Sequence, residues 1–164
     1  MTYMKVLLPL TFAVLGLLLT PSFTEAAEPP TEHVRVRVHD TQGRTVQQFA
    51  PFGEDYFGRA SIASADINGD SVDEIFIGAG AQYDPIVRVF DQSGALLHEF
   101  TAYHPKFRHG VHVAACDLDQ DGTVEVITSP SEGGGPHIRV FNLDGTLWND
   151  VEFFAYDPTF RGGA

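Results

Sequence analysis

The chain repeats itself every 51 residues, and a period of that length confines it to arrays of one small unit, each burying an apolar face against its neighbour. Val38-His39-Asp40, Val89-Phe90-Asp91 and Val140-Phe141-Asn142 stand in this register, as do Gly43, Gly94 and Gly145. So do Asp66 and Asp117, Asp70 and Asp121, Glu74 and Glu125, and Pro85 and Pro136. The third copy slips by two residues between Leu147 and Phe153, after which Phe52, Tyr103 and Tyr156 correspond. Repeat units fall near 34–85, 86–136 and 137–164.

Within each unit, short runs rich in Val, Ile and Phe alternate with Gly, Pro, Asp and Asn, the pattern of strands and turns. No helix is expected after the N-terminal segment. Strands are expected near 34–39, 45–50, 60–65, 74–78, 86–90, 96–102, 111–116, 124–128, 137–141 and 151–155. Ala60–Ala65 and Val111–Cys116 carry small side chains suited to a crowded inner strand. Val34 to Val38 and Ile138 to Val140 alternate, placing their arginines outward or along a rim. Ile75-Phe76-Ile77 and Val126-Ile127 are apolar on both faces, which implies sheets covered on both sides. The fold class is all-β: four-stranded antiparallel sheets stacked as β-propeller-like blades.

Lys5 precedes an apolar run from Val6 to Thr20, then Pro21, Ser22 and the small-residue stretch Thr24-Glu25-Ala26-Ala27. That order is a signal peptide over 1–26, cleaved after Ala26 or Ala27, and it places the protein in the periplasm, at the cell surface or outside the cell. A repeat domain over 27–164 remains, still at a net charge of −12 because the segment removes one Lys and one Glu. Such acidity argues against nucleic acid and, once the signal is cut, against membrane surfaces, and favours cations. Cys116 is the single cysteine, so no intramolecular disulfide can form.

Two acidic loops lie in register. Asp66, Asn68, Asp70 and Glu74 place side-chain oxygens at loop positions 1, 3, 5 and 9, and Asp117, Asp119, Asp121 and Glu125 do the same 51 residues on. Odd positions of a tight turn converge, the main-chain carbonyl at position 7 (Val72 or Thr123) adds another oxygen, and a hard cation with 6–8 oxygen ligands, calcium, fits the set. An EF-hand would need Glu at position 12, where Ile77 and Thr128 stand, and helical flanks. Asp, Asn and Gly also make plain polar turns. Two loops in one register, with three and four carboxylates that repel one another unless a cation intervenes, favour the metal. The second loop is expected to bind more tightly, having one more carboxylate and Gly122 at the sharp turn where the first has Ser71.

Val113-Ala114-Ala115-Cys116-Asp117-Leu118-Asp119-Gln120-Asp121-Gly122 and Gly135-Pro136-His137-Ile138-Arg139-Val140-Phe141 resemble repeats of the FG-GAP family, also called VCBS. Tyr156 to Gly163 and Phe57-Gly58 resemble it too. The resemblance implies the propeller of integrin α-subunits and many secreted bacterial proteins, whose Asp-rich loop binds Ca2+. Ser71, Gln120, Glu74 and Glu125 depart from the family pattern. About 2.5 blades are covered where a closed ring needs four or more, which implies a truncated frame, an open array or a subunit that closes by assembly. The end units would expose strand edges and an apolar face, so self-association is expected.

Other chemistry has less behind it. His109 and His112, three apart where a turn enters a strand, do not converge as they would on a helix. Gly133-Gly134-Gly135-Pro136 precedes a strand and lacks the Lys-Ser/Thr of a phosphate loop. Cys116 is read as a buried small residue, and Phe52, Tyr56, Phe57, Tyr103, Phe107, Tyr156 and Phe160 as packing between blades. No nucleophile and base recur together, so a non-catalytic adhesion module with a protein or glycan ligand is expected; the alternative is an accessory domain of a larger extracellular enzyme, such as a carbohydrate-active one.

Overall fold

The computed structural model describes residues 33–164, so the expected signal peptide and its cleavage site lie outside the described residues. Ten strands follow in order: β1 Val36–His39, β2 Thr45–Phe49, β3 Ala60–Ala65, β4 Glu74–Ala79, β5 Ile86–Phe90, β6 Leu96–Thr101, β7 Val111–Cys116, β8 Glu125–Pro130, β9 His137–Phe141 and β10 Leu147–Phe154. No helix occurs among the described residues. β1 and β2 form a two-stranded sheet, while β3 to β6 and β7 to β10 form two four-stranded antiparallel meanders. This is an open stack of two full propeller-like blades and half of one. Each full sheet begins at a small-residue strand, so the repeat units counted from β1, β5 and β9 straddle the blades.

Burial explains why the sheets stack. Every residue of β4 is buried. Its Phe76 joins Val87, Val89, Val111, Val113, Val126 and Phe141 in a cluster between the full blades. Ile75, Ile77 and Ala79 point the other way and join Val36, Phe52, Tyr56 and Phe90 in a second cluster against the half blade. β7 lies against β3 and β4, and the small side chains Ala63 and Ala65 permit that approach.

Three features differ from expectation. Of the arginines on the alternating strands, Arg35 and Arg37 are exposed as expected, but Arg139 does not point outward: it donates to the carbonyl of Ala102, as Arg88 does to that of Pro51 at 2.7 Å, each reaching back to the preceding unit. Cys116 is exposed, because it ends β7 on the face of the last blade that no other described sheet covers. β10 begins at Leu147 instead of 151, since Asn149 and Asp150 adopt left-handed φ of 47° and 56° and absorb the two extra residues inside the strand. Its register with β9 steps from Leu147↔Phe141 to Glu152↔Arg139 across that insert.

The first two turns between third and fourth strands, β1–β2 and β5–β6, are capped alike. Asp40 accepts the N–H of Gln42 and Arg44, and Asp91 those of Ser93 and Ala95. Hydrogen bonds to Arg44 hold the Asp40 carboxyl below its usual range, and those from Ser93 and Ala95 do the same for Asp91. A carboxyl whose pKa is lower folded than unfolded stabilises the fold above the unfolded value of about 3.9 and loses that contribution as pH falls through the folded one. Thermal melts are therefore expected to be level near neutrality and to drop below about pH 4; a melting temperature unchanged down to pH 2.5 would contradict the caps.

Candidate metal centre

Loop 66–74 joins β3 to β4 and loop 117–125 joins β7 to β8. The two are built alike from their first residue. Asp66 accepts the N–H of Gly69 and of Ser71, both at 2.8 Å, and Asp117 those of Asp121 at 3.1 Å and Gly122 at 2.9 Å. The Ser71 N–H, then those of Gly69 and Asn68, hold the Asp66 carboxyl below its ordinary value. At position 9 the side chain turns inward: Glu74 and Glu125 are 4% and 1% exposed and accept the N–H of Ile67 and Leu118. Buried carboxylates with a single backbone donor are costly unless charge is brought to them.

Each loop makes two left-handed turns, at Gly69 and Ser71 in the first and at Gln120 and Gly122 in the second. Each therefore has one glycine and one residue with a Cβ in a conformation costing about 1 kcal/mol. The expected advantage of Gly122 over Ser71 is cancelled by Gln120 against Gly69, so backbone strain does not rank the loops.

Position 3 does distinguish them. The ligand atoms of Asp117, Asp119 and Glu125 lie within 4.8 Å of one another and could hold a metal ion. In the first loop Asn68 stands at that place, and its amide donates to Glu74 Oε1 at 3.3 Å. A neutral donor thus partly satisfies the buried Glu74. Asp119 donates nothing, and three carboxylates that close together repel unless a cation sits among them. The oxygen-only set suits a hard cation.

The position-5 carboxylates, Asp70 and Asp121, each accept the N–H two residues on, from Val72 at 2.8 Å and Thr123 at 2.7 Å. They brace the turn, and Asp121 stands outside the group of three.

A cleft of about 850 Å3 opens where β3 and β7 begin, bordered by Phe57, Arg59, Gln82, His112 and Ser131. His112 Nε2 and Ser131 Oγ share a hydrogen bond of 3.1 Å. Phe57 is 44% exposed beside His33, ring centroids 4.7 Å apart. Sequence reasoning missed this cleft because its walls come from two repeats: only the His109–His112 spacing hinted at it, and neither histidine belongs to the carboxylate group. Most of the repeat aromatics do pack between units, with Phe52 and Tyr56 buried and Tyr103 beside Phe107 at 5.6 Å. Tyr156 and Phe160, in the last unit, are exposed. No protein-family model, curated protein or solved structure matches the chain.

Proposed function

We propose that this chain is a calcium-braced repeat module of the FG-GAP/VCBS kind, exported to the periplasm, cell surface or medium, which binds a protein or glycan and performs no covalent chemistry. The observation that carries the metal reading is the convergence of Asp117, Asp119 and Glu125 within 4.8 Å, on a loop whose counterpart recurs one repeat earlier. Calcium tolerates variable oxygen geometry and would draw further ligands from the main chain and water. The metal would brace the β7–β8 turn, at the end of that ladder opposite the cleft. An exposed ring beside hydroxyl, amide, imidazole and guanidinium groups is the chemistry that recognises sugars or polar peptide.

Calorimetric titration of the chelator-treated protein with calcium is expected to give two sites, the tighter one lost in Asp119→Ala and the weaker one retained. Absence of heat at millimolar calcium would end the metal reading. Glycan-array and hydrolase panels separate binding from catalysis: turnover that disappears in Ser131→Ala would replace the adhesion reading with an enzymatic one built on the Ser131–His112 pair.

A further inference from the structure

One set of contacts joins each unit to the next. In both junctions an arginine on the third strand of the later blade reaches back to a carbonyl that follows the fourth strand of the earlier one: Arg88 to Pro51, and Arg139 to Ala102. The same guanidinium lies over the aromatic ring that follows that carbonyl, Arg88 over Phe52 at 5.4 Å and Arg139 over Tyr103 at 5.9 Å. A phenylalanine of the earlier fourth strand packs, rings tilted, against one of the later third strand, Phe49 with Phe90 at 4.9 Å and Phe100 with Phe141 at 5.0 Å. Glycines in the later hairpin turns, Gly94 and Gly145, lie against Phe49 and Phe100.

The two ends of the stack carry complementary halves of this set, except that at the head His39 stands where Phe90 and Phe141 stand in the later blades. At the tail, Ala155-Tyr156 continues the series Pro51-Phe52 and Ala102-Tyr103, and Phe153 continues Phe49 and Phe100. The Ala155 N–H is bonded to Pro136 just as that of Ala102 is to Pro85, so its carbonyl is held in the same place, yet among the described residues no arginine reaches it. Tyr156 is 62% and Phe153 51% exposed, whereas Phe100 is 8% exposed. At the head, Arg37 holds the position of Arg88 and Arg139. It already makes the in-sheet bond of that position, to Gln48 as Arg88 does to Glu99 and Arg139 to Glu152. Gly43 holds the position of Gly94 and Gly145, and among the described residues nothing lies within 4 Å of where its Cβ would stand.

We propose that copies of this chain stack head to tail, the β1–β2 sheet of one copy seating on the outer half of the β7–β10 sheet of the next. In that junction Arg37 of one copy bonds the Ala155 carbonyl of its neighbour and lies over the Tyr156 ring, and the Gly43 turn packs on Phe153. Each copy offers one head and one tail, so assembly does not stop at two and runs to a ring or a row. The head surface brings Arg35 and Arg37 on an otherwise acidic chain, which favours this pairing over tail on tail.

Sedimentation of the full chain from about 1 to 100 µM in physiological salt with calcium is expected to show mass rising past the dimer. Arg37→Glu blocks the head and Phe153→Asp the tail; each alone should stay monomeric, with at least a tenfold weaker association. Mixed in equal amounts they should form dimers of one copy of each, because the mixture retains one intact head and one intact tail. Tyr156→Ala is the second tail variant should Phe153→Asp lose its β-sheet spectrum, and it too should weaken assembly. A wild type monomeric throughout, an Arg37→Glu variant that assembles as the wild type does, or a mixture that gives no dimer would each overturn the head-to-tail junction.

Discussion

Exchanging one side chain between the two acidic loops is expected to exchange their response to calcium. Asp119→Asn gives the second loop the amide that Asn68 supplies to Glu74 in the first, so without metal the variant should melt higher than the wild type, relieved of one carboxylate in the group with Asp117 and Glu125. Adding calcium should then raise its melting temperature less. Asn68→Asp does the reverse: it removes a donor from a buried glutamate and adds a negative charge, lowering stability without calcium and increasing the gain with it. For a dissociation constant of about 10⁻⁴ M, common in extracellular modules, calcium at about a hundredfold excess stabilises by about 2.7 kcal/mol. That is about 10 °C for a domain of this size. Scanning calorimetry of both variants, with calcium and with chelator, reads four shifts. If the two variants move in the same direction under either condition, position 3 does not govern the sites.

Phe76→Ala should cost more than any loop change. Phe76 is wholly buried among Val87, Val111, Val126 and Phe141, and removing a buried phenylalanine costs about 3–5 kcal/mol, since the transfer free energy is lost and a cavity remains. Set against a total stability of about 5–15 kcal/mol, that leaves a marginal fold. Ile127 holds the same place one repeat later but faces away from the stack and is only partly buried, so Ile127→Ala should cost about 1 kcal/mol. Urea denaturation compares the two. Near-equal losses would mean that the blades do not depend on the cluster between them.

What could be read from the chain alone follows from what repeats encode. Strand order and both faces of β4 were readable because Ile75-Phe76-Ile77 has no polar alternate and is buried throughout; the same reading of Val126-Ile127 failed, since Ile127 faces away from the stack on a sheet that the described residues cover on one side only. The loops were readable because their acids share a spacing. Three-dimensional roles within them were not: Asp70 and Asp121 fit the ligand spacing yet bond the main chain two residues on, a local alternative that side-chain spacing cannot separate from coordination. Arg88 and Arg139 looked like rim residues because alternation reports which face a side chain leaves from, not how far a flexible one reaches back across a neighbouring unit. The exposure of Cys116 depends on which blade is last, a property of the stack and not of any strand.

The irregular outer ladders bear on a hazard that every open sheet carries. The register steps at Val38/His39 in the first sheet and at Val89/Phe90 in the second, and β10 adds its left-handed Asn149-Asp150 insert with Glu152 just beyond. A strand adding along such a rim would meet a kinked backbone, N–H and C=O groups out of step, and in the last sheet negative charge, which are the devices by which proteins refuse edge-on templating into cross-β fibres. Ladder growth along these outer edges is thereby hindered, and a chain with exposed apolar surface at its last sheet can remain dispersed at concentrations where a straight outer edge would seed insoluble aggregate.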